Sequence, residues 1–200
     1  WAGMAKETAH QIGTPLTSLL GWNELLKEEA LSPKITAEIE KDIGRLQTIT
    51  QRFSQIGSMP KLEPHDIVAE TRNAFEYLQA RSSKLVEFSF HSQVESLPVL
   101  LNQSLYHWTI ENLVKNGIDA MKGKGEISVD IRPANSHVNI LVSDTGHGIP
   151  RKLFQEIFNP GYTTKKRGWG LGLSLVKRIV EEYHGGELKL LESRSGKGTT

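Results

Sequence analysis

Two glycine-rich turns carry the residues best suited to chemistry in this sequence. The first, 144–150 (DTGHGIP), follows an apolar run at 138–142 that is typical of a buried strand. The second, 168–172 (GWGLG), leads directly into a helical pattern of apolar residues. Glycine lets backbone amides approach a ligand closely, and a helix start offers free N–H groups and a positive dipole end. Both turns therefore suit a phosphate-bearing ligand.

Charged side chains flank these turns. Lys165, Lys166 and Arg167 precede the second turn, where a basic run suits a polyphosphate, although such a run is also typical of a solvated surface. Asp144 ends the predicted strand and could accept a hydrogen bond from an adenine amine. The glycine spacing matches neither a P-loop nor a Rossmann fingerprint. We therefore predict a nucleotide site of another type, with Lys165 as its phosphate contact.

A predicted helix at 103–121 brings two asparagines onto one face. Asn112 and Asn116 are four residues apart, and Asp119 lies close to them. The apolar residues of this helix lie on another face, so the asparagines are not needed in the core. Two neutral amide oxygens suit a Mg²⁺ ion held mainly by phosphates and waters. A single asparagine here would be interpreted as a solvated surface residue.

The first 58 residues show the pattern of two helices. Apolar positions recur at spacings of three and four along 12–26 and again along 35–56, which makes a coiled-coil-like seam on each helix. Ser32 and Pro33 mark the break between them. Because two such helices cannot bury their apolar stripe alone, we predict a homodimer through residues 1–58 that forms a four-helix bundle.

The rest of the chain alternates between helical and strand patterns. Asp66 and Asn102 are placed to cap helices, and alternating apolar residues predict strands, among them one at 187–192. This order predicts a two-layer α/β sandwich, so the fold class is α + α/β. We divide the chain into a helical hairpin, 1–58, a linker, 59–63, and a nucleotide-binding domain, 64–200.

Composition limits the classes of partner. A net charge of +1 gives no electrostatic case for nucleic acid or a membrane surface. The absence of cysteine excludes disulfides and fits a reducing compartment. No apolar run approaches the roughly 20 residues of a membrane span. We expect a cytoplasmic fragment of a longer protein, which could be anchored in the inner membrane. Six histidines show no metal-cluster spacing and are predicted to be surface or packing residues: His65, His91, His107, His137, His147 and His184.

The two turns resemble the G1 and G2 boxes of sensor histidine kinases, which belong to the GHKL ATP-binding superfamily. Other segments resemble further boxes of that family: 10–16 (HQIGTPL) the H box, 111–120 (ENLVKNGIDA) the N box, 157–165 (IFNPGYTTK) the F box with the start of the ATP lid, and 196–199 (GKGT) the G-x-G-T segment. The boxes follow the family's order over essentially the whole chain. The resemblance implies a Bergerat-type ATP-binding fold after the hairpin.

The resemblance also implies roles for residues. His10 accepts the γ-phosphoryl group of ATP through Nε2 and passes it to an aspartate on the receiver domain of a response regulator. Asn116 is the usual Mg²⁺ ligand, Asn112 lines the phosphates, and Thr199 touches the adenine end. The implied catalytic residues are His10, Gln11 and Thr14. The implied ATP-binding residues are Asn112, Asn116, Asp144, Gly146, Gly148, Lys165, Gly168, Gly170, Leu171, Gly172 and Thr199.

Two positions depart from the family pattern. The family usually has an acid directly after the histidine, whereas Gln11 can orient the imidazole but carries no charge. Because the family's phosphatase activity is tied to that position and to the one held by Thr14, we expect kinase activity first and phosphatase activity second. Gly161 stands where a second phenylalanine is common, with Tyr162 nearby.

Two other functions stay open. Gln11 is the support for a non-catalytic dimeric scaffold (a pseudokinase), which would bind nucleotide but leave His10 unlabelled. GHKL hydrolases carry a water-activating glutamate at the position of Asn112. Here Glu111 lies about 100° off that face, so a hydrolase is the weaker alternative.

Overall fold

The structure is a computed structural model that describes residues 12, 16–17, 19–27, 35–41, 43–44, 46, 59–165 and 170–200. The chain divides into two compact units, 1–60 and 61–200. Within the described ranges, no helix is both long and apolar enough to cross a membrane.

The described part of the first unit is helical over 19–27 and 35–41. Lys27 joins the two segments, since its Nζ lies 2.9 Å from Glu24 and 3.2 Å from Glu40. The buried side chains are Leu16, Asn23, Thr36 and Ile43. The exposed large apolar side chains are Ile12, Leu19, Trp22, Leu25, Ile35 and Leu46. The seam predicted from the sequence is therefore only partly buried, and the four-helix bundle stays a prediction.

The second unit is the predicted α/β sandwich. Its elements in chain order are β1 (Glu63–Asp66), α1 (Ile67–Gln79), β2 (Val86–Ser92), β3 (Pro98–Leu101), α2 (Gln103–Ala120), β4 (Gly125–Pro133), β5 (Val138–Asp144), α3 (Gly172–Arg178), β6 (Ser193–Arg194) and β7 (Gly198–Thr199). Two short 3-10 turns, Arg151–Leu153 and Glu156–Phe158, lie between β5 and α3, and a π-helical turn, Ile179–Tyr183, continues α3.

The main sheet has five strands in the order β2-β4-β5-β7-β6, and β1 pairs with β3 in a separate antiparallel ribbon. β2 and β4 are parallel because the chain crosses over through α2 between them. Ile127, Val129 and Ile131 of β4 are fully buried in one core with Phe75 of α1 and Val114 of α2. The two long helices therefore cover one face of the sheet, which confirms the predicted fold class.

Both predicted helix caps are confirmed. Asp66 Oδ1 accepts hydrogen bonds of 3.0 Å from the backbone N–H groups of Val68 and Leu97. The N–H of Leu97 is the main reason that the pKa of the Asp66 carboxyl is lowered. Asn102 Oδ1 accepts from the N–H of Leu105 at 3.1 Å. Each cap fixes the start of a helix that carries core residues.

Other elements differ from prediction. The strand predicted at 187–192 is wrong, because the edge strand β6 lies at Ser193–Arg194. The hydrogen bonds between this edge and the segment of β7 extend only as far as Leu191, whose N–H donates to the carbonyl of Thr200 at 2.9 Å. Residues 187–190 lie beyond this ladder of hydrogen bonds. β1 begins at Glu63, inside the predicted linker. The sequence does not predict this start because the strand depends on pairing with β3, which is distant in the sequence.

Candidate nucleotide-binding site

Helix α2 and the start of α3 meet at Asn112. The Nδ2 of Asn112 donates to the carbonyl of Trp108 at 2.9 Å, which fixes the direction of the side chain. Its Oδ1 lies 3.0 Å from the point where a Cβ on Gly172 would stand. The structure thus brings together an asparagine of α2 and a glycine of the second turn, which are 60 residues apart in the sequence. A Cβ at position 172 would be in tight contact with this amide, which would have to shift by a few tenths of an ångström.

Lys165 reaches the same side of α2. Its Nζ donates to Oδ1 of Asn116 at 2.9 Å and to Oδ2 of Asp119 at 2.6 Å. The side chains of Lys165 and Asp119 are 45% and 56% exposed, so this ion pair is open to solvent. The predicted phosphate-binding lysine therefore contacts the predicted metal ligand directly. The sequence places Asp119 close to the asparagines but predicts no role for it.

Asp144 is the half-buried acid of the site. Burial raises the pKa of its carboxyl, and the hydrogen bond from the Gly146 N–H, 2.7 Å from Oδ1, opposes that effect. Asp144 pairs with Ile127 on β4 and with Thr199 on β7. The predicted adenine acceptor and the predicted adenine-contacting threonine are therefore neighbours across the sheet.

Two glycines fix the backbone around Asp144. A Cβ on Gly117 of α2 would lie 2.6 Å from Ile127 Cδ1 and 3.0 Å from Asp144 Cβ. A Cβ on Gly198 would lie 1.8 Å from the carbonyl oxygen of Asp144. The sequence patterns predict no role for either glycine at the site. The one local signal is that Gly117 lies on the buried side of α2.

The first glycine turn is held by the protein itself. A Cβ on Gly146 would lie 2.7 Å from Cβ of Ala120, and one on Gly148 would lie 2.2 Å from the carbonyl oxygen of Arg194. Gly148 also has a φ of 71°, which favours glycine. These contacts place the turn between the end of α2 and β6. Close packing within the protein therefore accounts for both glycines without a ligand.

The second glycine turn is joined to Gly161. The N–H of Gly161 donates to the carbonyl of Gly170 at 3.0 Å, and a Cβ on Gly170 would lie 2.4 Å from the carbonyl carbon of Gly161. A Cβ on Gly161 would meet no atom within 4 Å, so what favours glycine at that position is its φ of 88°. Leu171 then accepts from the N–H of Leu175 at 3.0 Å, which starts α3.

Several predicted residues lie outside the described residues: His10, Gln11, Thr14 and Gly168, together with Lys166 and Arg167. Their roles stay predictions.

Two of the histidines form a cluster that the sequence did not reveal. His65 Nδ1 lies 3.2 Å from Oε1 of Glu70, and His107 Nε2 lies 2.6 Å from Oε2. Gln103 Nε2 donates to Oε1 of the same carboxylate at 3.0 Å. These side chains join β1, α1 and α2 at a position that local patterns could not predict. His184 links chain segments too, since its Nε2 accepts from the Asn102 N–H at 3.0 Å.

Residues 102–200 match the model of the family described as histidine kinase-, DNA gyrase B-, and HSP90-like ATPase. The match begins at the cap of α2 and ends after β7, so it includes every described residue of the site. Residues 102–200 belong to this family of ATPases. This part of the chain is accordingly a histidine kinase-like ATPase domain.

Among the proteins similar to this chain are a sporulation kinase, proteins named as putative sensor histidine kinases and solved histidine kinase domains. Sporulation kinase C of Bacillus subtilis (strain 168) is 29% identical over 202 residues, which cover 98% of this chain and 46% of that protein. The nucleotide-free catalytic domain of histidine kinase ThkA is 29% identical with a TM-score of 0.64, over 70% of this chain and 91% of that one. ThkA in complex with the response regulator protein TrrA is 26% identical with a TM-score of 0.63, over 98% of this chain and 59% of that one. The chain spans less than half the length of the curated relatives it matches.

Proposed function

We propose that the chain is the catalytic core of a sensor histidine kinase, which transfers the γ-phosphoryl group of ATP to His10 and then to an aspartate of a response regulator. The observation that carries the proposal is the meeting of Asn112, Asn116 and Lys165 on one side of α2. This meeting occurs in a domain of the histidine kinase-like ATPase family. An amide pair and a lysine beside a helix start suit the phosphates of a nucleotide.

In this proposal residues 1–58 are the dimerisation and phosphotransfer hairpin, 59–63 the linker, and 64–200 the catalytic domain. The division of the chain into the units 1–60 and 61–200 is consistent with it. The exposed apolar side chains of the first unit support a homodimer, because a second copy would remove them from water. The greater length of the relatives supports a larger protein, whose cytoplasmic part we assign to this chain.

The adenine end is assigned to Asp144 and its neighbours. An ionised Asp144 would accept from the adenine amine, while Oδ1 also holds the N–H of Gly146. A carboxylate has the lone pairs for both bonds. Thr199 lies beside it on β7 and would contact the same end of the nucleotide.

The residues present fit a Mg²⁺ ion. Asn116 Oδ1 and the neighbouring carboxylate of Asp119 are oxygen donors of the type that Mg²⁺ prefers, and they already hold a cation, the ammonium of Lys165. We assign Asn116 as the ligand. The ion would neutralise the charge that develops on the phosphates during transfer.

Transfer itself is a displacement at the γ-phosphorus. The Nε2 lone pair of His10 forms the N–P bond while the bond to the β,γ-bridging oxygen breaks, and ADP leaves with that electron pair. We assign Gln11 the role of accepting from Nδ1–H, which directs the lone pair of Nε2 at the phosphate. Thr14 would orient a water for the phosphatase activity, in which that water attacks the phosphoryl group on the regulator's aspartate and releases inorganic phosphate.

Hydrolysis to free phosphate is less well supported. The position that needs a general base carries Asn112, and the carboxylate of Glu111 pairs with Lys115 at 3.2 Å. No comparison favours the non-catalytic scaffold, whose support is Gln11 alone. For the partner, the complex of ThkA with a response regulator protein supports a receiver domain.

The test is incubation of the chain with γ-labelled ATP and Mg²⁺, comparing the wild type with His10→Ala and the control His137→Ala. We expect acid-labile, base-stable label on the wild type and on the control, and no label on His10→Ala. Nucleotide binding without label on any of them would favour the scaffold. Phosphate release that survives His10→Ala would favour the hydrolase.

A further inference from the structure

The ammonium of Lys165 donates a hydrogen bond to Oδ1 of Asn116, the oxygen that the proposed function assigns to the metal. Nζ lies 2.9 Å from Oδ1 of Asn116, and the carboxylate of Asp119 holds the same ammonium at 2.6 Å. The backbone supports this arrangement, since the N–H of Lys165 donates to Oγ1 of Thr163 at 3.1 Å. Among the described residues, Lys165 therefore supplies the cation at this point of the site.

A metal ion and this ammonium exclude each other. Mg²⁺ binds an oxygen ligand at about 2.1 Å, so an ammonium bonded to the same oxygen would be its close neighbour of like charge. Lys165 must therefore leave Asn116 before that oxygen can coordinate Mg²⁺. Asp119 opposes this departure because it carries the opposite charge and makes the shorter of the two contacts.

We propose that Asp119 is a positioning residue that holds Lys165 on the metal oxygen, so that Lys165 and the magnesium–nucleotide complex compete for Asn116. This inference rests on the proposed nucleotide site. An exposed ion pair is weak, and both side chains are about half exposed, so the exchange is readily reversible. The free ammonium then becomes available to the phosphates as the metal enters.

The experiment measures ADP affinity by calorimetry for the wild type and Asp119→Asn, with Mg²⁺ and with a chelator. Asp119→Asn keeps the shape of the side chain but removes the charge that holds Lys165. With Mg²⁺ we expect the dissociation constant to fall about two- to fivefold, the fold-change of one exposed ion pair. With the chelator we expect no such gain in affinity, because no metal ion then competes with Lys165 for Asn116.

Two further variants sharpen the result. Asp130→Asn makes the same chemical change on β4, where Asp130 pairs with Arg132 and alternates with the core residues Val129 and Ile131, so it should leave both affinities unchanged. In a Lys165→Met background, Asp119→Asn should lose its effect, because the ammonium that it releases is gone.

The outcomes separate the inference from the proposed function. Unchanged or weaker binding of Mg·ADP by Asp119→Asn overturns the inference. Weaker binding with Mg²⁺ alone would make Asp119 a metal ligand instead, and an equal change in both media would make it a support of the pocket. A wild type that binds no ADP in either medium would overturn the proposed function itself.

Discussion

The two glycine turns of the site are held in different ways. In the first turn, the Cβ positions of Gly146 and Gly148 are filled by atoms of α2 and β6, so the backbone has one place to lie. In the second turn, Gly170 contacts Gly161, which belongs to the same loop. The Lys165 side chain of that loop is held by an exposed ion pair with Asp119. In the proposed function, the nucleotide would therefore meet a preformed surface at its adenine end and an adjustable one at its phosphate end. Such a division lets one domain bind a nucleotide firmly and still exchange contacts around its phosphates.

The largest effect is expected from a methyl group added at the preformed, adenine end, which we call the rigid end. In Gly198→Ala the new Cβ would lie 1.8 Å from the Asp144 carbonyl oxygen, and the φ of 96° is unfavourable for alanine. Since the obstacle is backbone, we expect a loss of about 3 kcal/mol or more in the free energy of unfolding. Denaturant titration of the chain measures it.

Gly196→Ala is the matched control in the same hairpin. Its φ of 74° is also positive, but no atom lies within 4 Å of the added Cβ. The expected loss is only about 1–2 kcal/mol, that of the left-handed backbone alone. Equal losses in the two variants would show that the first turn is not fixed by contact with Asp144.

At the adjustable end the same change should act on binding more than on folding. Gly170→Ala would place a Cβ 2.4 Å from the carbonyl carbon of Gly161, whereas Gly161→Ala meets no atom within 4 Å. We expect Gly170→Ala to weaken ADP binding about tenfold or more. Its loss in unfolding free energy should exceed the about 1–2 kcal/mol of a φ of 63° alone, because the obstacle is backbone, but stay below that of Gly198→Ala, because Gly161 belongs to the same loop. Gly161→Ala should weaken binding less. A Gly170→Ala chain that unfolds as readily as Gly198→Ala would contradict the contrast between the turns.

Asp144 tests whether the rigid end is built for a ligand rather than for stability. Its pKa is raised by burial, so its ionised form destabilises the free protein, and that destabilisation grows as pH rises through the pKa. Asp144→Asn should therefore stabilise the free chain at neutral pH. It should also weaken ADP binding about tenfold, because an amide in place of the carboxylate loses a charge-assisted hydrogen bond to the adenine amine.

The pH profile gives a second reading of the same residue. In the wild type, ADP affinity should fall on acidification at a higher pH than an ordinary aspartate would give, because protonation removes the acceptor. Asp144→Asn should lack this fall. Calorimetry across the acidic range makes the measurement, and an identical profile in both proteins would exclude Asp144 as the adenine acceptor.

The parts of the site that the sequence predicted are those set by local geometry. Asp66 and Asn102 cap their helices within three residues, and the helical repeat alone puts Asn112 and Asn116 on one side of α2. Strand formation is different, since a strand needs a partner. The segment 187–192 has the alternating pattern of a strand, but the ladder reaches only its end.

Contacts between distant segments could not be predicted in this way. Lys165 and Asp119 are separated by 46 residues. Lys165 lies in the loop whose two ends are joined by the hydrogen bond between Gly161 and Gly170, and its contact with Asp119 depends on the fold of that loop. The need for Gly117 and Gly198 appears only when α2 and β7 are seen against Asp144. Sequence patterns identify residue types suited to a nucleotide, whereas the contact of Lys165 with Asn116 depends on the folded loop.

Glu70 gives a reference away from both turns and the smallest expected effect. Burial alone would raise the pKa of its carboxyl, but hydrogen bonds from Gln103 and His107 and the charge on His107 outweigh it, so the pKa is lowered. A lowered pKa in the folded state means that Glu70 stabilises the fold above its unfolded-state pKa, and that this stabilisation is lost as pH falls through the folded-state value. Glu70→Gln should therefore flatten the acid side of the stability profile, with little effect on ADP affinity at neutral pH. If Glu70→Gln instead changed Mg·ADP affinity as Asp119→Asn is expected to, the adjustable end would extend through α2 to its first turn, and the contrast between the two glycine turns would have to be redrawn.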